Sequence, residues 1–206
     1  FQNKFAIKNI SINSKKNEIG SYIDLYKINN KNTLQIILLK QAVKGGMAQI
    51  NANLYFDDFG KIKNNYILTG KISNAELQIP QNIKELNLNF KVEENNYKFE
   101  KILFKFNKLQ FNSELLNIKQ KNEKFYVNGN LKTEKNKINK DLILLIFNNA
   151  LENFDFSNSK FESISNFTFD LSKKFKISNL KVNSKLNLDE LILKYDLLKI
   201  KNYVIN

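Results

Sequence analysis

Apolar and polar residues alternate along most of this chain, which is the rhythm of strands with one buried face. Ile50, Ala52, Leu54 and Phe56 alternate, as do Leu68, Gly70 and Ile72, then Leu77 and Ile79. Leu86, Leu88, Phe90 and Val92 form another run, followed by Phe125, Val127 and Leu131, and by Phe167, Phe169 and Leu171. The residues between them are mostly Lys, Asn, Glu and Ser. The pattern predicts an all-β fold built on an antiparallel sheet that is apolar on one side.

Turn signals divide the runs. Lys44-Gly45-Gly46 is one, and Asp57-Asp58-Phe59-Gly60 followed by Asn64-Asn65 is another. Pro80-Gln81-Asn82 ends a strand, because proline has no N–H for the ladder. Glu93 to Asn96 and Lys119 to Glu123 read as hairpin loops, and Lys132 to Asn139 as a longer polar connection.

A second pattern sits on the first. Phe5-Ala-Ile-Lys-Asn-Ile-Ser-Ile-Asn13 has the form Φ-x-Φ-x-x-Φ-x-Φ-Asn, with Φ apolar. Phe104-Lys-Phe-Asn-Lys-Leu-Gln-Phe-Asn112 and Phe175-Lys-Ile-Ser-Asn-Leu-Lys-Val-Asn183 repeat it, placing Phe106, Leu109 and Phe111 in phase with Phe104. Looser copies run through Gly70, Ile72, Ala75 and Leu77, and through Leu193, Tyr195, Leu198 and Ile200. Side chains alternate faces with period two, so two consecutive polar residues would send the second apolar pair to the wrong face. A β-bulge absorbs the extra residue, restores the face and bends the strand. Bends are predicted at Lys8-Asn9, Asn107-Lys108 and Ser178-Asn179, within long strands of a curved sheet that forms a groove, a β-taco-like shape.

One stretch departs from this rhythm. From Asp141 to Glu152, Leu142, Leu145, Ile146 and Leu151 follow helical spacing, with Asn139 placed to cap the start. One short helix near 140–152 is predicted, packed on the apolar face and too short to span a bilayer.

Composition narrows the chemistry. The chain has 206 residues and a net charge of +13, with every basic residue a lysine, and it lacks Arg, His, Cys and Trp. Lys, Asn, Ile and Phe share A/T-rich codons, so a biased genome accounts for much of the charge. The lysines are scattered at alternate positions, and there is no arginine to fork onto phosphate or base edges, so no nucleic-acid partner is expected. Without cysteine there are no disulfides or thiolate metal sites, and without histidine the Ser-His and Cys-His relays are impossible. The adjacent carboxylates Asp57-Asp58 and Glu93-Glu94 sit in turn signals and read as solvated loops. Asp58-Phe59-Gly60 has no accompanying nucleotide-binding loop. No cofactor, metal site or catalytic residue is expected.

The 17 phenylalanines then become the informative residues. They belong either to a β-sandwich whose two sheets bury each other, or to a single curved sheet whose apolar face is partly open. The predicted bulges and the single short covering helix favour the open face. Its lining would be Leu54, Phe56, Leu68, Ile72, Leu86, Leu88, Phe90, Phe104, Phe106, Leu109, Phe111, Phe125, Val127, Phe167 and Phe169, acting collectively on an acyl chain. A structural or adhesive sandwich module of a long envelope protein is the alternative, and a barrel fragment a further one.

With Gly45-Gly46 ahead of a strand, and with Tyr66-Ile-Leu-Thr-Gly-Lys-Ile-Ser-Asn-Ala-Glu-Leu77, the chain resembles the AsmA-like group of Gram-negative envelope proteins, whose larger members include TamB and YhdP. Phe167-Thr-Phe-Asp-Leu171 leading into Phe175–Val182, and Ser184–Leu191 beyond it, carry the same resemblance, which covers roughly residues 34 to 200. It implies a β-groove with an apolar inner surface, no catalytic residues, and phospholipid or another acyl-chain lipid as partner. It also implies a periplasmic location, tethered to the inner membrane through a segment outside this chain. Starting at Phe1 with Met47 as its one methionine, the chain reads as an interior segment of a longer protein, joined to the rest of its parent at both ends. Residues 1–206 are expected to form a single groove segment, divisible into a meander (1–135), a helical connection (136–160) and further strands (161–206).

Overall fold

A computed structural model describes residues 7–29, 34–79, 81–106, 109–122, 124–137, 154–155, 160–174, 176–193 and 199–205. The chain enters through β1 (Asn9–Asn13) and the two-residue β2 (Asn17–Glu18), then forms α1 (Ile19–Asn29) and α2 (Leu34–Ala42). A run of long strands follows: β3 (Val43–Tyr55), β4 (Ile67–Ile79), β5 (Gln81–Glu93), β6 (Asn96–Phe106), β7 (Leu109–Lys121) and β8 (Lys124–Lys137). The short β9 (Phe154–Asp155) precedes β10 (Lys160–Ser172), β11 (Ile177–Leu193) and β12 (Lys199–Ile205).

Every ladder is antiparallel. The strand order is β1-β3-β4-β5-β6-β7-β8-β10-β11-β12, with β2 added on β3 and β9 on β11. Nine inter-strand steps of about 4.8 Å make the sheet about 43 Å wide. It does not close into a barrel, since β1 and β12 are both edges. It is also single: the substantial strand contacts run between neighbours in this order, and no second sheet faces it among the described residues. The expected all-β, long-stranded, bulged antiparallel sheet is what forms.

Six consecutive strands, β3 to β8, each hold an extra residue, and β11 holds another. In β4, Ile72 faces Leu88 but Ala75 faces Leu86, so Ser73-Asn74 is absorbed as a bulge. The extra residues take left-handed backbone at Asn74 (φ 52°), Glu85 (φ 53°), Lys101 (φ 53°) and Asn179 (φ 54°). A bulge orphans backbone groups, and here asparagine side chains satisfy them. Asn87 Oδ1 accepts from the Asn74 N–H at 3.0 Å, while its Nδ2 donates to the Glu85 carbonyl at 2.7 Å. Asn130 Oδ1 takes the Glu114 N–H at 2.8 Å and the Ser113 hydroxyl at 3.1 Å. Asn136 Nδ2 donates to the Glu134 carbonyl at 2.7 Å. A bulge bends its strand and increases the local twist.

The predicted bend at Ser178-Asn179 is present, between Thr168↔Lys181 and Asp170↔Ser178. The one at Asn107-Lys108 is corrected. The flanking strands β6 and β7 pair antiparallel with Phe106 opposite Leu109, so the pattern there belongs to a hairpin. A hairpin with two residues between paired positions returns the chain on the same face, as a bulge does, and the sequence pattern is the same for both. At Lys8-Asn9 the strand simply starts at Asn9. Lys44-Gly45-Gly46 is no turn but an irregularity inside β3, where Gly46 takes φ 116° and a Cβ would meet the Ala75 backbone. Lys132 to Lys137 is no loop; it continues β8, its polar residues filling the outer face. The turns at Asp57–Gly60 and Asn64-Asn65 and the hairpins after Glu93 and Lys121 form where expected. The helix expected near 140–152 lies outside the described residues. Two helices that the reading of the sequence did not anticipate, α1 and α2, sit against β3 and β4 at one corner, tied together by Lys40 Nζ donating to Asp24 at 2.6 Å.

Two substitutions separate the bulge hydrogen bonds from packing. Asn130→Ala leaves the Glu114 N–H and the Ser113 hydroxyl without their acceptor and is expected to cost about 1 kcal/mol. A Cβ on Gly70 would stand 2.3 Å from the Gln49 carbonyl oxygen and 2.5 Å from Phe90 Cζ, so Gly70→Ala should cost about 2–3 kcal/mol. Urea midpoints that do not move for Asn130→Ala would show that the side chain does not hold the bulge.

Candidate functional site

Register carries the apolar positions of the strands to a common face. On β3 and β4, Leu68 lies opposite Ala52 and Ile72 opposite Ala48, while Leu54 meets Ile10 of β1. On β5, Val92, Phe90, Leu88 and Leu86 face Leu68, Gly70, Ile72 and Ala75. Across β6 and β7, Phe104 faces Phe111 and Phe106 faces Leu109. Across β8 and β10, Phe125 faces Leu171, Val127 faces Phe169, and Gly129 faces Phe167. Phe56 follows β3 and bridges to Ile62. Fourteen of the fifteen residues named from the sequence therefore share one face of one sheet, and Phe56 lies just past the end of β3.

That face is neither a closed core nor bare. Leu88, Leu109 and Val127 are buried, and the other twelve are half-buried. The rings pack along the sheet. Phe104 stacks on Phe111 with centroids 5.3 Å apart, Phe106 meets Phe111 edge-on at 6.3 Å, and Phe167 lies along Phe169 at 6.1 Å. Among the described elements, the helices α1 and α2 pack against the sheet at one corner, on β2, β3 and β4.

More of the face exists than the sequence reading named. Tyr97 and Phe99 pair with Ile118 and Leu116, and Ile102 is buried beside them. Their signal was in the sequence, since Tyr97, Phe99, Ile102 and Phe104 repeat the Φ-x-Φ-x-x-Φ-x-Φ spacing around the bulge at Lys101. A band of hydroxyls also crosses the face. Thr133 Oγ1 lies 3.0 Å from Ser163 Oγ and accepts the Ser163 N–H at 2.8 Å, while Ser165 and Ser184 lie 2.8 Å apart. These hydroxyls bond one another, so the band adds little polarity to the surface.

The opposite face is mostly polar and ionic, with Leu103, Tyr126 and Ile164 exposed on it. Lysines meet acids across strands: Lys105 with Glu85 at 2.8 Å and Lys132 with Glu114 at 2.6 Å on neighbouring strands, and Lys135 of β8 with Asp189 of β11 at 2.8 Å across β10. The hydrogen bond from Lys132, and then its charge, hold the Glu114 carboxyl below the usual glutamate range. A depression of about 480 Å³ is lined by Asn128, Asn130, Asn166, Phe167, Lys181 and Val182 among others. It is open and uncharged apart from Lys181, and it holds no group of acids or bases arranged for chemistry. No cluster of three or more His, Cys, Asp or Glu side chains converges among the described residues.

A scan against protein-family models, a search of curated proteins and a search of solved structures each find no match to this chain.

The Lys132–Glu114 pair predicts an acid sensitivity. Its folded-state pKa is depressed, so its contribution is present above the ordinary glutamate value of 4.5 and is lost as pH falls through the depressed value. Both groups are solvent-exposed, so the effect is small. Glu114→Gln should flatten part of the fall in urea midpoint between about pH 5 and 3, and an unchanged slope would count against the pair.

Proposed function

We propose that this chain is a non-catalytic β-groove segment that holds lipid acyl chains, of phospholipid or another acyl lipid, against its apolar face. The reading rests on one observation: fourteen of these apolar residues, from β3 to β10, share one face of a single sheet with no second layer over it among the described residues. Soluble proteins rarely leave continuous apolar patches beyond a few hundred Å² uncovered. Strands of thirteen residues span about 43 Å, comparable to the width of the sheet, so the face far exceeds that limit.

An acyl chain suits such a face better than a compact ligand does. It is long and featureless, and each methylene it buries contributes about 0.8 kcal/mol without any need for directional bonds. The face offers stacked rings and branched side chains, with its few hydroxyls already bonded to each other. The resemblance to AsmA-like envelope proteins supports the same reading, and with it a place in the periplasm and a role in moving lipid between membranes or in outer-membrane biogenesis.

Lipid extraction and mass spectrometry of the purified chain test this. Folded wild-type protein should carry co-purified acyl lipid. Phe167→Asp with Phe169→Asp should lose most of it while keeping the β-sheet circular dichroism signal, because both side chains are only half-buried. A folded, soluble wild-type sample that yields no lipid, and takes up none from vesicles, overturns the proposal.

A further inference from the structure

The strands alternate in direction, so the loop after β3, the hairpins after β5 and β7 and the turn after β10 lie together at one end of the sheet. The four tyrosines from β3 to β11 are all at that end: Tyr55 closes β3, Tyr66 precedes β4, Tyr97 is the second residue of β6 and Tyr126 the third of β8. Phenylalanine shows no such restriction, since Phe106 and Phe111 lie toward the other end. Tyr97 is on the apolar face and Tyr126 on the opposite one, so tyrosines flank the end of the sheet on both sides.

At the same end a structured turn presents Phe59, which is 86% exposed. The Asp57 carboxylate accepts the N–H groups of Phe59 and Lys61, each at 2.9 Å, and the Asp57 N–H donates to the Lys61 carbonyl at 2.9 Å. Gly60 takes φ 78° between them, and Phe56 bridges to Ile62 at the base of the turn. The ring is thus held out in solvent, with Ile62 also 47% exposed. A lone exposed apolar residue is ordinary, but this one stands among cations. Lys61, Lys63, Lys119, Lys121, Lys124 and Lys176 are exposed at this end and enter no ion pair among the described residues. The acids are mostly engaged, Asp57 in the turn, Asp58 with Lys8 and Glu93 with Lys91, while Glu94 stays exposed.

Tyrosine favours the boundary between hydrocarbon and water, because its ring is apolar and its hydroxyl polar. Lysines attract anionic headgroups, and an apolar side chain projecting among them reaches the acyl region below. A protein partner would have to place acids to match these six lysines on three separate connections, whereas a bilayer offers anionic headgroups at any spacing. We infer that this end of the sheet docks on an anionic bilayer surface, with Phe59 entering the acyl boundary, the tyrosines at headgroup level and the lysines on lipid phosphates. The inference concerns the end of the sheet and does not rest on acyl chains lying on its apolar face.

The chain has no tryptophan, so Phe59→Trp supplies a single fluorescent reporter. With vesicles of phosphatidylcholine and phosphatidylglycerol, its emission should shift to the blue and be quenched by brominated acyl chains. Ile164→Trp, exposed toward the other end of β10, should show neither change. In flotation, the double variant Lys61→Glu, Lys63→Glu should bind these vesicles at least about tenfold more weakly than wild type, and wild type should bind pure phosphatidylcholine vesicles more weakly by a similar factor. Should the double variant fail to fold, the wild-type chain on the two kinds of vesicle decides. None of these measurements uses co-purified lipid, so docking and acyl-chain holding fail or stand separately. No binding to the anionic vesicles, equal quenching at the two reporter positions, or equal binding to neutral and anionic vesicles each overturns the proposal.

Discussion

Side chains on a strand alternate faces, and this sheet depends on keeping that alternation in phase from one edge to the other. One uncompensated residue in any strand would turn every apolar side chain beyond it into solvent. The chain carries extra residues in β3 to β8 and in β11, and each is absorbed locally. The cost is orphaned backbone and left-handed φ values at Asn74, Glu85, Lys101 and Asn179. Asparagine offsets it in two ways. It tolerates left-handed backbone better than most residues, and its amide offers a donor and an acceptor at once. Asn87 uses both in bridging Asn74 and Glu85. A/T-rich coding explains why asparagine is abundant here, but not why Asn87, Asn130 and Asn136 stand where bulges need them.

The same constraint bears on why no second sheet faces this one among the described residues. Bulges bend and twist their strands, and a strongly bent sheet does not lie flat against a second one. The apolar face therefore gains its partial burial from its own neighbours, through rings packed along the sheet and through Phe90 lying over Gly70. Half-burial realises only part of the roughly 1.5–3 kcal/mol that full burial of a Leu or Phe contributes. The unrealised part is what a bound acyl chain would recover, so the stability of this fold and its proposed occupancy by lipid are linked quantities.

How much of this was legible in the sequence depends on which physical rule each element obeys. The period-two rhythm identified the antiparallel sheet and placed fourteen of the fifteen named residues on one face, because parity is a local property of the chain. Bulges at Ser73-Asn74 and Ser178-Asn179 were legible for the same reason. The hairpin between Phe106 and Leu109 was misread as a bulge because both devices conserve parity across two residues, and only the pairing partner, a nonlocal fact, tells them apart. Lys132 to Lys137 looked like a loop because its outer face is polar and its inner face relies on Thr133, buried through hydrogen bonds with Ser163 and not through hydrophobicity. The helices α1 and α2 were missed because their apolar residues are spread around the helix; Leu25, Ile37, Leu38 and Leu39 stay exposed, leaving no clear stripe to read.

The apolar face reaches β11 by the same device. Ile177, Leu180 and Val182 belong to the face by parity and to the edge by position, and Ser178-Asn179 between them is the bulge that keeps both true. If the bulge were removed, Leu180 and Val182 would point to the polar side, where Lys181 and Lys185 now stand. The face would then end at β10, and an added strand would find its apolar and charged positions exchanged. A neighbour that pairs correctly with this edge must share the parity of the whole sheet. A strand that continues the sheet beside Val182 in this register therefore extends the apolar face in phase.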